Sequence, residues 1–407
     1  MSNASPFEFR AIQQEERQAF SNVVKYVFAD SSIEVNEDED NLKNEWTTAA
    51  FHNGKIVATS GGYPFTMRFN GKDMQADGLT AVGTAPGFRR RGLVREMVTQ
   101  RLHQVHEDAK QSVSILWASM GAIYQRFGYG LASTHVSSEF DPRYASFQFA
   151  STQEGYVRIL EKDEGLPIIQ KLYDVFIQDR TLDLYRDNDM WKHHFGNKKR
   201  RSYVAVYFAA NDEPQGYVAY NTREDRKLAE DGGPDQRLQV REFIYLNITA
   251  YRGLWEFLRE HDLVRFVDMQ MPLDDPSFNL LLEPRILGSD VWDGIWLRVV
   301  DASQALTERI YNHAGTIVLE VHDDAECPWN ERRFLLETDG TRTEVAETNQ
   351  SADATISPNG LASLLSGNAT LSQLHRAGRA DVADIAKLAQ FDSLFATTYR
   401  PFCRDGF

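Results

Sequence analysis

Residues 79–130, LTAVGTAPGFRRRGLVREMVTQRLHQVHEDAKQSVSILWASMGAIYQRFGYG, constrain the fold more than any other part of this 407-residue chain. The first half reads as strand, turn, helix. Residues 79–84 are bounded by Gly78 and Pro86, and a strand stops where proline cannot continue the ladder. From Gly92 onward Val94, Met97, Val98, Leu102 and Val105 recur at three- and four-residue steps, so they line one face of a helix. Residues 112–117 are again strand-like, and 118–126 open a short helix that Gly128 stops.

That order assigns chemistry to two motifs. Arg89, Arg90, Arg91 and Gly92 sit at the N-terminus of the long helix, where first-turn N–H groups lack intrahelical acceptors and the macrodipole is positive. An anion is favoured there, with a glycine that admits a bulky group and arginines that add forked donors. Taken alone, RRRG reads more readily as a solvated basic face. Tyr124 lies about one turn beyond the end of the second strand. Ligands of open sheets gather at the carboxyl ends of strands, so both motifs are expected to face one crevice. A phenol there is protonated at neutral pH and can donate a proton to a thiolate leaving group. Its other reading is a core tyrosine packed against Phe127 and Tyr129.

RRRGLV followed by IYQRFGYG resembles the GNAT acetyltransferases, and more narrowly the Eis (enhanced intracellular survival) branch, whose members read P-x-x-R-R-R-G-L-L and I-Y-G-R-F-G-Y-G. The resemblance continues at WLRVVD (296–301), CPWN (327–330), AGR (377–379) and the ending Pro401-Phe402-Cys403 up to Phe407. It implies a mixed α/β (α+β) chain: a catalytic GNAT domain at 1–145, a degenerate GNAT-like domain at 146–291, and a sterol-carrier-protein-like (SCP2-like) domain at 292–407. It also implies acetyl-CoA as co-substrate. Val82, Gly83 and Thr84 would pair with the pantetheine arm. Arg89, Arg90, Arg91, Gly92, Leu93, Val94 and Arg95 would hold the pyrophosphate, and Ser119 with Met120 would flank the acyl end. Tyr124 corresponds to the family's general acid, and Phe407, last in this sequence, to the residue whose α-carboxylate is the general base. A homohexamer, a trimer of dimers, is implied as well. Three positions depart from the family pattern: Val94 where the general motif has a small residue, Gly83-Thr84 where β-branched residues are usual, and Gly406 where the branch often has an acidic one.

Composition narrows the partners. With 44 Lys and Arg against 59 Asp and Glu the formal charge is −15, which disfavours nucleic acid and favours cationic small molecules. The acidic run at 34–45 is expected near the substrate mouth, unless it is simply a solvated loop. Asp30, Trp46 and Phe51 are candidate walls of an amine pocket. A hydrophobic fraction of 42% suits ordinary cores, and no apolar run approaches the roughly 20 residues that span a bilayer, so no membrane partner is expected. The opening MSNASPFEFRAIQQEER lacks a basic region followed by an apolar core, and Cys327 and Cys403 are the only cysteines; a cytoplasmic enzyme without disulfides is expected. His103 and His106 could share a helix face, but two ligands without a third make a poor site, so no metal is expected. His193-His194 would point to different sides of an element.

Elsewhere the pattern predicts a helix at 15–28, strands at 49–58 and 62–69, helix 168–180, strands 201–209, 216–221 and 238–248, and helix 250–259. The C-terminal third predicts strands at 297–300, 315–321 and 333–337 and helices at 361–366, 370–377 and 381–395. The aromatic ending, with Tyr399, Phe402 and Phe407, suggests a docked tail rather than a frayed one. Two functions follow. One is direct N-acetyl transfer from acetyl-CoA to a polycationic amine of aminoglycoside or polyamine type, with the oxyanion held by backbone donors near 82–84. The other is a non-catalytic protein whose SCP-like domain carries an apolar ligand.

Overall fold

A computed structural model describes residues 6–30, 42–149, 155–195, 202–225, 228 and 232–407, without the side chains of Lys162 and His193. Most of the acidic run and the His193 imidazole therefore lie outside the described residues. The chain forms two compact units: Met1–Ser133 with Gly294–Thr397 and Asp405–Phe407, and Thr134–Asp293 with Thr398–Arg404.

In the first unit β1 (Glu8–Arg10), β2 (Thr47–His52), β3 (Lys55–Phe69), β4 (Lys72–Thr84) and β5 (Val113–Trp117) run in sheet order, followed by Ile295–Val299 and Gly130–Leu131. Neighbours are antiparallel except β4 and β5, which run parallel. Parallel neighbours need a crossover, and the helix between them supplies it. Residues 49–58, expected as one strand, instead turn back at Asn53-Gly54. Both residues have positive φ (50° and 71°), the conformation of a two-residue hairpin loop. Asn70-Gly71 repeats this between β3 and β4.

Among the helices that cover the sheet, α1 (Arg17–Val27) buries Phe20 and Val24, and α2 (Leu93–Asp108) buries Leu93, Met97, Val98, Leu102 and Val105. Leu93 takes the place expected of Val94, because it stands one full turn before Met97 and Val94 is rotated partly outward. The same unit carries a five-stranded sheet in the order Thr343–Glu347, Arg333–Thr338, Gly315–Val321, Ala354–Ile356, Ala380–Val382, with helices Pro358–Ser366, Leu371–Arg376 and Leu388–Leu394.

The second unit repeats the first arrangement. Its seven-stranded sheet has its parallel pair at Gln236–Tyr245 and Val264–Pro272, joined by helix Ile248–Arg259. Residues 398–404 dock here. Arg404 Nη1 donates to Asp183 Oδ1 at 2.6 Å with both side chains buried, and Phe402 N donates to Thr181 O.

The structure moves three expected elements. Thr134–Phe140, expected before a boundary at 145, pairs within the second sheet with Val264–Pro272 and Ser289–Asp293. Ile295–Val299, expected to open the C-terminal domain, completes the first sheet against β5. Asp381 and Val382, expected to begin a helix, lie in a strand paired with Ala354–Ile356. Each depends on pairing between residues far apart in sequence, which local periodicity does not record.

Candidate active site

The site begins where β4 and β5 part. Their pairing covers Ala76↔Val113, Asp77↔Ser114 and Gly78↔Ile115 and then stops, although β4 continues to Thr84 and β5 to Trp117. Over the same stretch β4 has a bulge. The β3 register passes from Gly61↔Thr80 to Thr59↔Gly83, Ala81 adopts φ +53°, and Thr59 Oγ1 donates to Ala81 O at 2.8 Å. A bulge bends its strand and re-aims backbone groups, so Val82–Thr84 present an edge with no ladder bond to β5. The glycine at 83 has a packing cause: a Cβ there would lie 3.0–3.2 Å from the Val27 side chain of α1.

The N-terminus of α2 opens beside that edge in sequence. Arg90 and Gly92 both have positive φ (63° and 81°), and Gly92 caps the helix without a side-chain bond. The first intrahelical bond there is Glu96 N to Gly92 O, so the N–H groups of Leu93, Val94 and Arg95 lack helical acceptors. Alternating left-handed residues of this kind form an anion-binding concavity. Arg89, Arg90, Arg91, Gly92 and Arg95 are exposed around it, and Arg91 rests its guanidinium 5.2 Å from the Phe88 ring centroid.

Beyond β5, Ser119 and Met120 are exposed, Met120 by 61%. They lead into α3 (Gly121–Gln125), which carries Tyr124. Tyr124 is only 6% exposed and packs in one apolar cluster with Leu79, Leu116 and Tyr129, yet its hydroxyl bonds no protein group among the described residues. Burial raises its pKa to about 12.

The last residues lie at the same parting of strands. Trp117 Nε1 donates to the Asp405 carbonyl at 2.9 Å, and the Phe407 ring packs edge-on against Phe65, 4.9 Å between centroids. A Cβ on Gly78 would lie 3.3 Å from the Phe407 ring and 2.3 Å from the Phe65 ring. Leu79 and Leu116 are the first positions past the last β4–β5 pair. Tyr124 packs with them, while Phe407 lies over Gly78, the last paired residue. Aromatic contacts run on from Phe65 to Tyr63 (5.4 Å) and Trp46 (6.1 Å), and Lys43 Nζ sits 4.7 Å over the Trp46 ring. Asp30 is exposed. Phe51 is not on a pocket wall: it is 2% exposed, inside the core of Ile12, Phe20, Val24 and Leu42, because its β2 position pairs with β1 and turns the ring beneath α1.

Residues 8–132 match the family model described as an acetyltransferase (GNAT) domain, 182–310 match a second GNAT model, and 302–404 match a sterol carrier protein domain. The chain is 30% identical over 336 residues to the N-acetyltransferase Eis of Mycobacterium tuberculosis strain H37Ra, covering 79% of this chain and 78% of the relative. It belongs to the Eis N-acetyltransferases. An uncharacterized N-acetyltransferase of Streptomyces avermitilis is 28% identical over 93% of this chain and 92% of its own. Among solved structures, Eis1 from Mycobacterium abscessus superposes with a TM-score of 0.84 at 25% identity, covering 98% of this chain and all of that one. A GCN5-related N-acetyltransferase from Anabaena variabilis shares the fold, with a TM-score of 0.87 at 22% identity over the same shares.

This Eis-family chain also holds a buried network that local patterns did not reveal. Asp77, fully buried on β4, accepts from Arg101 Nη2 at 2.5 Å and from Ser114 Oγ at 2.8 Å, and Ser114 Oγ bonds the Tyr129 hydroxyl at 2.8 Å. It braces β4 to β5 one residue before they part. The available signal was an aspartate in the same strand as Met74, Ala76 and Leu79, together with an arginine on the helix that follows. His106 stacks on Trp329 (3.9 Å, 8° between planes) and His103 meets it edge-on; among the described residues no group of three His, Cys, Asp or Glu is arranged to hold a metal. Both cysteines are buried thiols that form no disulfide. No helix among the described residues is long and apolar enough to cross a membrane.

Proposed function

We propose that this Eis-family acetyltransferase transfers an acetyl group from acetyl-CoA directly to an amine of a polycationic small molecule, of aminoglycoside or polyamine type. The parting of β4 from β5 carries this reading, because it has on one side a phenol with no bonded partner among the described residues and on the other the Phe407 ring. The N–H groups at the start of α2, with Arg89, Arg90, Arg91 and Arg95, suit a pyrophosphate. The free edge of Val82–Thr84 suits the amide-bearing arm that joins it to the thioester, with Ser119 and Met120 beside the acyl end. These residues fit acetyl-CoA as co-substrate.

An ammonium has no lone pair, so a base must take its proton before the nitrogen attacks the thioester carbonyl. In this reading the α-carboxylate of Phe407 binds the ammonium as counter-ion and accepts that proton. Backbone N–H groups of the β4 edge hold the developing oxyanion, and Tyr124 donates its proton to the departing sulfur. No covalent enzyme intermediate is needed, since the deprotonated amine attacks the thioester itself and the thiolate leaves with the proton from Tyr124. The aromatic series Trp46, Tyr63, Phe65, with an ammonium already over Trp46, supports a cationic acceptor. The family likeness further supports a trimer of dimers, which light scattering tests.

The test is thiol release from acetyl-CoA across a panel of polyamines and aminoglycosides. Release with at least one supports the reading, and silence with all overturns it.

A further inference from the structure

The end of the tail has little stiffness of its own. Gly406 is exposed, and a Cβ there would meet nothing within 4 Å, so the backbone between Asp405 and Phe407 is not held by packing at that residue. Asp405, by contrast, is 5% exposed, and its carbonyl takes the indole N–H of Trp117 at 2.9 Å. Two residues of chain reach at most about 7 Å, so this bond, together with the packing of the Phe407 ring on Phe65, confines the terminal carboxylate to a small sphere. Trp117 is the last residue of β5, and Tyr124 follows seven positions later in α3. One strand end thus carries the acid by its chain and grips the tail by its indole.

We propose that Trp117 is a positioning residue for catalysis, which sets the Phe407 carboxylate against the site through the Asp405 carbonyl. The inference rests on the reading of Phe407 as base. Proton transfer needs heavy atoms within hydrogen-bond reach, and a displacement of about 1 Å costs rate steeply. Loss of the indole N–H removes the bond that ties the tail to the end of β5, and the unpacked Gly406 lets the chain end shift.

The experiment compares wild type, Trp117→Phe, Trp117 replaced by its benzothienyl isostere, deletion of Phe407, and Trp117→Phe combined with that deletion. The isostere keeps the ring shape and exchanges the N–H for sulfur, so it separates the hydrogen bond from packing. Both Trp117 variants are expected to lower kcat by about tenfold or more, with acetyl-CoA affinity and melting temperature near wild type. In the Phe407-deleted background, read by single-turnover rates, Trp117→Phe is expected to add less than about a twofold loss, since both changes remove one function. Wild-type kcat in the isostere overturns the inference, and so does a full additional loss in the deletion background. Near-normal turnover after deleting Phe407 alone overturns instead the reading on which the inference rests.

Discussion

The Phe407 ring stands edge-on against Phe65, 4.9 Å between centroids, and the two rings cross the face of Gly78. No side chain fits beneath them. A Cβ on Gly78 would fall 2.3 Å from Phe65 Cε2, the far end of a side chain that can move. Gly78→Ala is therefore expected to fold, with a loss of about 1–3 kcal/mol from overpacking, but to push Phe65 and with it Phe407. Amine turnover should fall about tenfold while acetyl-CoA affinity holds, checked by steady-state kinetics beside a thermal melt.

Tyr124→Phe removes a hydroxyl that bonds no protein group among the described residues, so the fold loses little. Positioned general acids contribute typically 10²–10⁴-fold, and kcat should fall by about that much with coenzyme binding retained. Equal titration curves for acetyl-CoA with a wild-type rate would remove Tyr124 from the chemistry.

Burial raises the Tyr124 phenol to about 12. The sign follows: the neutral acid is the favoured form in the fold, so it persists to about pH 12, and any stability it lends is lost only as pH rises from about 10 through 12. The pH–rate profile should show no alkaline limb due to this acid below about pH 11. A limb near pH 9–10 that vanishes in Tyr124→Phe would contradict this.

Gly92 holds φ +81° with nothing within 4 Å of a Cβ, so Gly92→Ala meets no clash, only backbone strain of about 1–2 kcal/mol. Relief of that strain would turn the N–H groups at the head of α2 away from their common focus. KM for acetyl-CoA is expected to rise about tenfold, with kcat and amine KM nearly unchanged, measured by varying each substrate in turn.

Asp77→Asn leaves Arg101 without its charge partner in a site where Asp77 is fully buried. Breaking such a pair costs about 3–5 kcal/mol, and denaturant unfolding should register a loss of that order. A change under about 1 kcal/mol would mean that the network does not brace the parting strands.

How much the sequence disclosed depended on whether a signal was local. The α2 helix, its glycine cap and the short helix bearing Tyr124 were readable from spacing, because helical faces and caps repeat over three to five residues. The Asn53-Gly54 loop carried a local signal too, but continuous β-rich residues on both sides masked it. Thr134–Phe140 and Ile295–Val299 could not be assigned to their sheets, since strand partners lie more than a hundred residues away. Phe51 looked like a pocket aromatic until β2 pairing turned it inward, and Asp77 with Arg101 is legible only once β4 and α2 are packed. The contact of Phe407 with Phe65 is likewise a tertiary fact, although an aromatic ending hinted at docking.

The most direct measurement is thiol release from acetyl-CoA with a polyamine or aminoglycoside acceptor. It compares the chain ending at Phe407, a form extended by a few residues after Phe407, and one lacking Phe407, each also titrated with acetyl-CoA alone. The account predicts full turnover in the first, at least about 100-fold slower transfer in the other two, and unchanged acetyl-CoA affinity in all three. Turnover near the rate of the chain ending at Phe407 in either altered form would contradict it.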